Sequence, residues 1–367
     1  MVHAEKGNSL ALGRARLGSS DLTGADGSLQ DALRLAQSRY GAASLDTARA
    51  LWELGELRHA QGRFRDAEGL YKRALGIFET QHASPTDVSW LLDDLGKIYE
   101  REQQWPLARR TYERALEIDK QLLGADHPRV AVHLHNLAFV MENLGDVGHA
   151  EELYRDAIQR NERAYGEHHP VTATAWGNYG LLLQRLGRLQ EAEGYLRRAL
   201  SVMLQLYGPQ HFDVAYNRVS LGLLLHDKGD LAGAESEYRQ ALAVYDKTLP
   251  PQHQWRASAL MHLARLLAER GRGEEALLLA DKSIAIWTAT SPAGSPKTAQ
   301  AHAIHGYALL QLGQAQAAAA ELDAALPTLL AARGANDVFA RKAQKWRDTA
   351  RSRLPHAVQV PGAGPAA

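Results

Sequence analysis

The 367 residues include no cysteine, which removes disulfides, thiolate metal sites and cysteine nucleophiles together and leaves the redox compartment open. Net charge is missing as well, since 42 Lys and Arg balance 42 Asp and Glu. Nucleic-acid binders normally carry a basic field to neutralise phosphates, so that class is disfavoured, although a local basic patch stays open. No stretch approaches the roughly 18 consecutive apolar residues of a membrane span. The opening MVHAEKGNSLALGRARLGSS lacks the apolar core of roughly 7–15 residues that a signal peptide needs. A soluble, cytoplasmic protein with no membrane or nucleic-acid partner is expected. Catalytic signatures are also absent: there is no P-loop, no GxSxG elbow, no GxGxxG after a strand and no HExxH. Neither enzymatic activity nor a cofactor is expected.

What the sequence does contain is a period. A helix-breaking Gly followed five residues later by Ala recurs as Gly62/Ala67, Gly145/Ala150, Gly187/Ala192, Gly229/Ala234, Gly271/Ala276 and Gly313/Ala318, with Gln103/Ala108 in the second place. Successive spacings are 41 and then five times 42 residues. A fixed period of this size means a solenoid of stacked units rather than ordinary domains. Its clearest copy is Leu181 to Leu200, LLLQRLGRLQEAEGYLRRAL, where one apolar-faced helix ends at Gly187 and another carries Ala192, Leu196 and Ala199 on one face. Gly180, Ala192 and Ala199, repeated as Gly222, Ala234 and Ala241, are small where two helices approach closely. Between units lie polar turns such as Gly124-Ala-Asp-His127-Pro128 and Gly166-Glu-His-His169-Pro170, with Gly ending one helix and Pro starting the next.

The ends break the pattern, as an array requires. Residues 1–20 read as a loose leader. Residues 21–354 read as a half repeat (Ala25, Leu29, Ala32, Leu33), seven 42-residue repeats and a basic capping helix from Asp337 to Leu354. Residues 355–367 read as a disordered tail. The seventh unit, with its Ala317 to Ala320 run, is the weakest.

The unit resembles a tetratricopeptide repeat in the 42-residue form of kinesin light chains and many bacterial regulatory proteins. The matching text is Asp126-His-Pro-Arg-Val-Ala-Val-His-Leu-His-Asn-Leu-Ala138, Leu144-Gly-Asp-Val-Gly-His-Ala-Glu-Glu-Leu-Tyr154 and His169-Pro-Val-Thr-Ala-Thr-Ala-Trp-Gly-Asn-Tyr-Gly180. It covers about residues 22–354. The resemblance implies an all-α fold, an α-solenoid of antiparallel helix pairs wound into a right-handed superhelix. Against the usual 34 residues, the longer unit gives each helix about one more turn, roughly 5–6 Å. Departures are Gln103, the added Trp105-Pro106, and the first-helix Asn, which is kept only as Asn136 and Asn178.

In such families the first helices line the concave side, and that Asn contacts the backbone of a bound peptide. The implied lining is Trp52 and Glu53; Trp90, Asp93, Asp94 and Lys97; His135, Asn136 and Phe139; Thr174, Asn178, Leu181 and Arg185; then Tyr216, Ser220, His226, Met261, His262, Arg265 and Tyr307. Amides suit a peptide backbone and aromatics suit side-chain pockets, while the bland alternative is that the rings fill space between helices. Acids early (Glu53, Asp93, Asp94) and bases later (Arg185, Arg265) would fit a ligand with unlike ends, unless they pair with each other.

The 16 histidines offer no metal site by spacing: His133/His135 do not share a helix face, His302/His305 fall at packing positions, and His168/His169 belong to a turn. The expected function is a non-catalytic adaptor scaffold whose groove holds a peptide or flexible protein segment. The alternatives are an assembly protein that self-associates through its convex face and ends, and an unusual enzyme with the groove as active site.

Overall fold

Backbone punctuation sets the helices. In the computed structural model, which describes residues 22–335 and 337–354, the described chain forms sixteen α-helices and no strand. A lone helix, α1 (Leu22–Tyr40), comes first. Seven pairs follow: α2 (Leu45–Ala60) with α3 (Phe64–Thr80), α4 (Pro85–Arg101) with α5 (Trp105–Leu123), α6 (Pro128–Leu144) with α7 (Val147–Tyr165), and α8 (Pro170–Arg185) with α9 (Leu189–Tyr207). Then come α10 (Phe212–Asp227) with α11 (Leu231–Thr248), α12 (Gln254–Glu269) with α13 (Gly273–Thr290), and α14 (Pro296–Gln311) with α15 (Ala315–Arg333). The last helix, α16 (Val338–Ser352), stands where an eighth first helix belongs. The expected leader and tail lie outside the described residues. No helix among the described residues is long and apolar enough to cross a membrane.

The turn histidines have a structural task that goes beyond punctuation. His127 Nδ1 accepts the backbone N–H of Arg129 at 3.3 Å. His169, His211 and His253 do the same for Val171, Asp213 and Trp255 at 3.2–3.3 Å. Ser84, Ser295 and Asp337 fill the same place in other repeats. Each satisfies a donor that the first helical turn leaves without an intrahelical partner. At the opposite end, Gly145 closes α6 with φ at 87°, in the left-handed region. Gln103 adopts φ of 59° in the equivalent turn, so this one repeat holds a side chain where glycine costs nothing.

The chain divides into two compact units, the first ending at Ala175 and the second beginning at Trp176. In the first unit, α1 buries Ala25 and Leu29 with Leu54 and Leu57 of α2. Gly55 and Gly96 of the first helices face the rings of Tyr71 and Tyr112 on the second helices. In the second unit, Gly180 faces Leu196, Gly222 faces Tyr238 and Gly306 faces Leu322. A Cβ on Gly180 would sit 2.8 Å from Leu196 Cγ, so the small residue is what lets the pair close. The alanine-rich seventh pair buries Ala318 and Ala319 in a cluster with Ala350 of α16, and Trp346 and Leu354 pack against it.

Candidate functional site

Neighbouring first helices meet through side chains about 42 residues apart. In the first unit, Trp52 Nε1 donates to Asp94 Oδ2 at 2.9 Å, joining α2 to α4. Asn136 Nδ2 donates to Asp93 Oδ1 at 3.2 Å, joining α4 to α6. Lys97 pairs with Asp93 at 2.7 Å and Asp94 at 3.1 Å. Burial alone would raise the Asp93 carboxyl, but the nearby His133 ring and the Lys97 charge outweigh it and hold it below the usual range. At Glu56 burial, and then the Asp94 charge, outweigh the Tyr71 hydrogen bond and the Lys97 charge and push it up to about 7. Burial pushes Glu100 up to about 7 as well. Beneath this layer, fully buried Asp119 of α5 accepts from His133 Nε2 at 2.9 Å and pairs with Arg129 Nε at 3.0 Å.

Other first-helix residues of this unit stay open. Trp90 is 47% exposed, and the Arg129 guanidinium lies 3.9 Å from its ring centre. Val132 and Phe139 are each 38% exposed, Phe139 standing edge-on to Trp105 with ring centres 6.0 Å apart. Thr174 is exposed one repeat further on. His135 is half-buried edge-on to Tyr154, and burial pushes its imidazole down to about 4, so it is neutral at physiological pH.

The second unit repeats the arrangement with other residues. Gln184 Nε2 donates to Asp227 at 2.6 Å, joining α8 to α10. His226 Nε2 lies 2.6 Å from Glu269 Oε2, and the Arg265 guanidinium donates to His226 Nδ1 at 3.2 Å, joining α10 to α12. Arg265 also approaches Glu269 at 3.4 Å and Asp227 at 3.9 Å. Tyr216 is 40% exposed beside Trp255, which stacks on Phe212 with ring centres 4.5 Å apart. His262 stacks on Tyr238 and Tyr307 stacks on Trp346. Asn178 and Leu181 are half-buried, and Arg185 is exposed.

Several residues expected to face a ligand also join neighbouring helices. Asp94, Asn136 and Arg265 are engaged by the neighbouring first helix, because that row of the repeat is where adjacent helices touch. Ser220 is 4% exposed with its hydroxyl donating to the Tyr216 carbonyl at 3.2 Å, and Met261 is buried. Two members of the expected passage from free acids to free bases are paired within the array. Asp93 is buried against Lys97 and His133, and Arg265 is held by His226 and Glu269. The open row is one turn away, at Trp90, Val132, Thr174 and Tyr216. Val132 was missed although it is the exact repeat counterpart of Trp90 and Thr174, 42 residues from each.

Among the described residues, no group of three or more His, Asp or Glu is placed to hold a metal ion. His302 and His305 of α14 instead approach Glu321 of α15 at 3.0 and 3.3 Å, and His305 Nε2 lies 3.3 Å from Asp281 of α13. The Glu321 carboxylate beside it raises the His305 pKa, against desolvation, and the same contact lowers Glu321. The histidine contribution to stability is complete below its unfolded value of about 6.5 and is lost as pH rises through its raised folded value. The Glu321 contribution is present above an unfolded value of about 4.3 and is lost as pH falls through its lowered one. Raising pH from 6 to 9 should therefore lower the melting temperature of the natural chain more than that of His305→Gln. Parallel pH profiles for the two proteins would contradict the assignment.

A cavity of about 730 Å³ in the first unit lies at the turn edge between α3, α4 and α5, where Glu79 and Arg114 pair at 2.6 Å. A smaller one, of about 290 Å³, lies between α6, α7 and α8.

Comparison with known proteins gives the repeat an independent reading. A tetratricopeptide repeat family model matches residues 7–80, 87–163, 130–205 and 171–247, and a second matches 256–296. No curated protein matches the chain in sequence. Among solved structures, BtubC (BKLC) from P. vanneervenii is 25% identical, with 62% of this chain covering 91% of it at a TM-score of 0.51. The apo form of the quorum sensor NprR from B. thuringiensis is 14% identical, with 88% of this chain covering 87% of it at a TM-score of 0.67. NprR in complex with its cognate peptide NprX is 16% identical, with 73% of this chain covering 72% of it at a TM-score of 0.52.

Proposed function

Because the chain belongs to the tetratricopeptide repeat family, we propose that it is a non-catalytic cytoplasmic adaptor that holds a peptide or flexible protein segment on the open face of its first helices. The observation that carries this reading is where large apolar side chains stay exposed in mid-helix. They are Trp90, Val132 and Phe139 on α4 and α6 of the first unit, and Tyr216 on α10 of the second. Elsewhere among the described residues such exposure falls mainly at helix ends, with Leu278 on α13 as an exception. Grouped apolar exposure on α4 and α6 marks an interaction surface, and aromatic anchors dominate binding energy. NprR, which shares the fold, has been solved in complex with its cognate peptide NprX.

In this reading Asn136, whose amide Asp93 orients, and Asn178 meet the backbone of an extended segment, since an amide donates and accepts at once. Capture from the source cell, reduction of the partner to a soluble peptide and titration provide the test. Trp90→Ala and Phe139→Ala should each weaken binding by about tenfold, the scale of a single anchor residue. Unchanged affinity in both variants would overturn the reading. An obligate oligomer by light scattering that captures no peptide would favour self-association instead.

A further inference from the structure

Every second helix buries one residue at the same register position: Phe78, Asp119, Asn161, Met203, Tyr245, Trp287 and Leu329. In five of these seven repeats a bulky apolar side chain fills the space under the first helices. Asp119 is the first exception, and its carboxylate is committed to Arg129 and His133. Asn161 has neither solution. It is 2% exposed, and its Oδ1 meets no hydrogen-bond donor. The cavity of about 290 Å³ opens beside it, walled by Val132 and His135 of α6 and by Pro170, Val171 and Thr174 of α8. A short polar residue where its counterparts are large leaves volume, and a buried acceptor without a donor carries its full desolvation penalty.

The walls define what fits. Val132, Pro170, Val171 and the Thr174 methyl are apolar, and His135 is neutral at physiological pH because burial pushes it down to about 4. An ion entering here would find no counter-charge in the lining. The volume is near the lower end for small-molecule sites, about 300 Å³, which suits a single-ring compound. A hydroxyl donates and accepts, so it satisfies the Asn161 amide in either orientation. Val132 and Thr174 are exposed, so the cavity is entered from the first-helix face.

We propose that this cavity binds a small, uncharged, mostly apolar molecule carrying one hydroxyl, a phenol by class, with the Asn161 side chain turning so that its covered Oδ1 accepts the hydroxyl. The site stands whether or not a peptide occupies the neighbouring face. The test titrates the full chain with p-cresol and with p-xylene, its isostere without the hydroxyl, followed by calorimetry and by the NMR signals of Val132 and Thr174. The natural chain should prefer p-cresol by about tenfold or more, the penalty of leaving a buried acceptor unpaired. Asn161→Leu should bind both alike, and Thr174→Trp, which blocks the mouth from an exposed position, should bind neither. Four results would overturn the proposal: no p-cresol binding to the natural chain, equal affinity for the two compounds, a hydroxyl preference that survives Asn161→Leu, or p-cresol binding that survives Thr174→Trp. Binding of a tyrosine-bearing peptide in the cavity without binding of free p-cresol would overturn it too.

Discussion

Asp119→Ala is expected to destabilise the first unit by about 3–5 kcal/mol, the cost of removing one partner from a buried ion pair. The carboxylate is fully buried on α5, while its partners Arg129 and His133 both belong to α6. The contact therefore ties one repeat to the next. Its loss strands a His133 that is 2% exposed, leaving that ring only Asp93 at 3.5 Å. A repeat array need not unfold in one step, so the effect should be read as faster amide exchange in α5 and α6 as well as a lower denaturation midpoint. A second variant separates charge from packing. Five other repeats place a bulky apolar residue at the Asp119 position. Asp119→Leu combined with His133→Leu should therefore recover much of the loss, since apolar replacement of a buried pair is often neutral or better. A loss below about 1 kcal/mol for Asp119→Ala would place the pair with exposed ones and contradict the account.

Gly222→Val is the second large effect. An added Cβ would lie 2.7 Å from Tyr238 Cε1, and that ring is fully buried against its neighbours. The equivalent position in the third repeat holds Ala138 opposite Tyr154, so one methyl group can be accommodated by a local shift and valine is the sharper test. Overpacking of this kind costs about 1–3 kcal/mol or more. Gly69, on the exposed side of α3, has nothing within 4 Å of an added Cβ. Gly69→Ala should stabilise by about 0.5–1 kcal/mol, the ordinary helix-interior difference. If both substitutions raised the melting temperature, helix propensity rather than close approach would explain the Gly222 position.

The sequence made the repeat legible because its cause is local. A left-handed glycine, a proline in a first helical turn and small residues at helical spacing each leave a mark in the letters, and the 42-residue period multiplies them. The binding face was only half legible because its cause is contact between repeats. Asp94 looks like a free acid until Trp52, 42 residues earlier, donates to it, and Asn136 looks like a free amide until its Nδ2 is seen to donate to Asp93. That information was present as residues 42 or 43 apart, but only an assembled pair of helices says which rows touch. Asn161 was invisible for another reason. On a second helix, a buried amide oxygen without a donor shows itself only once its neighbours are in place. The turn histidines looked like punctuation and proved to be caps, since nothing in a His-Pro pair announces that Nδ1 will reach the N–H two residues on.

The central claim is that partners bind the open face of the first helices. Hydroxyl-radical footprinting of the chain, alone and with its captured partner, reads that face side chain by side chain. The account predicts protection of Trp90, Phe139 and Tyr216, with Leu107 on α5 and Leu278 on α13 labelled as before. Protection of Leu107 and Leu278 with Trp90, Phe139 and Tyr216 unchanged would contradict it.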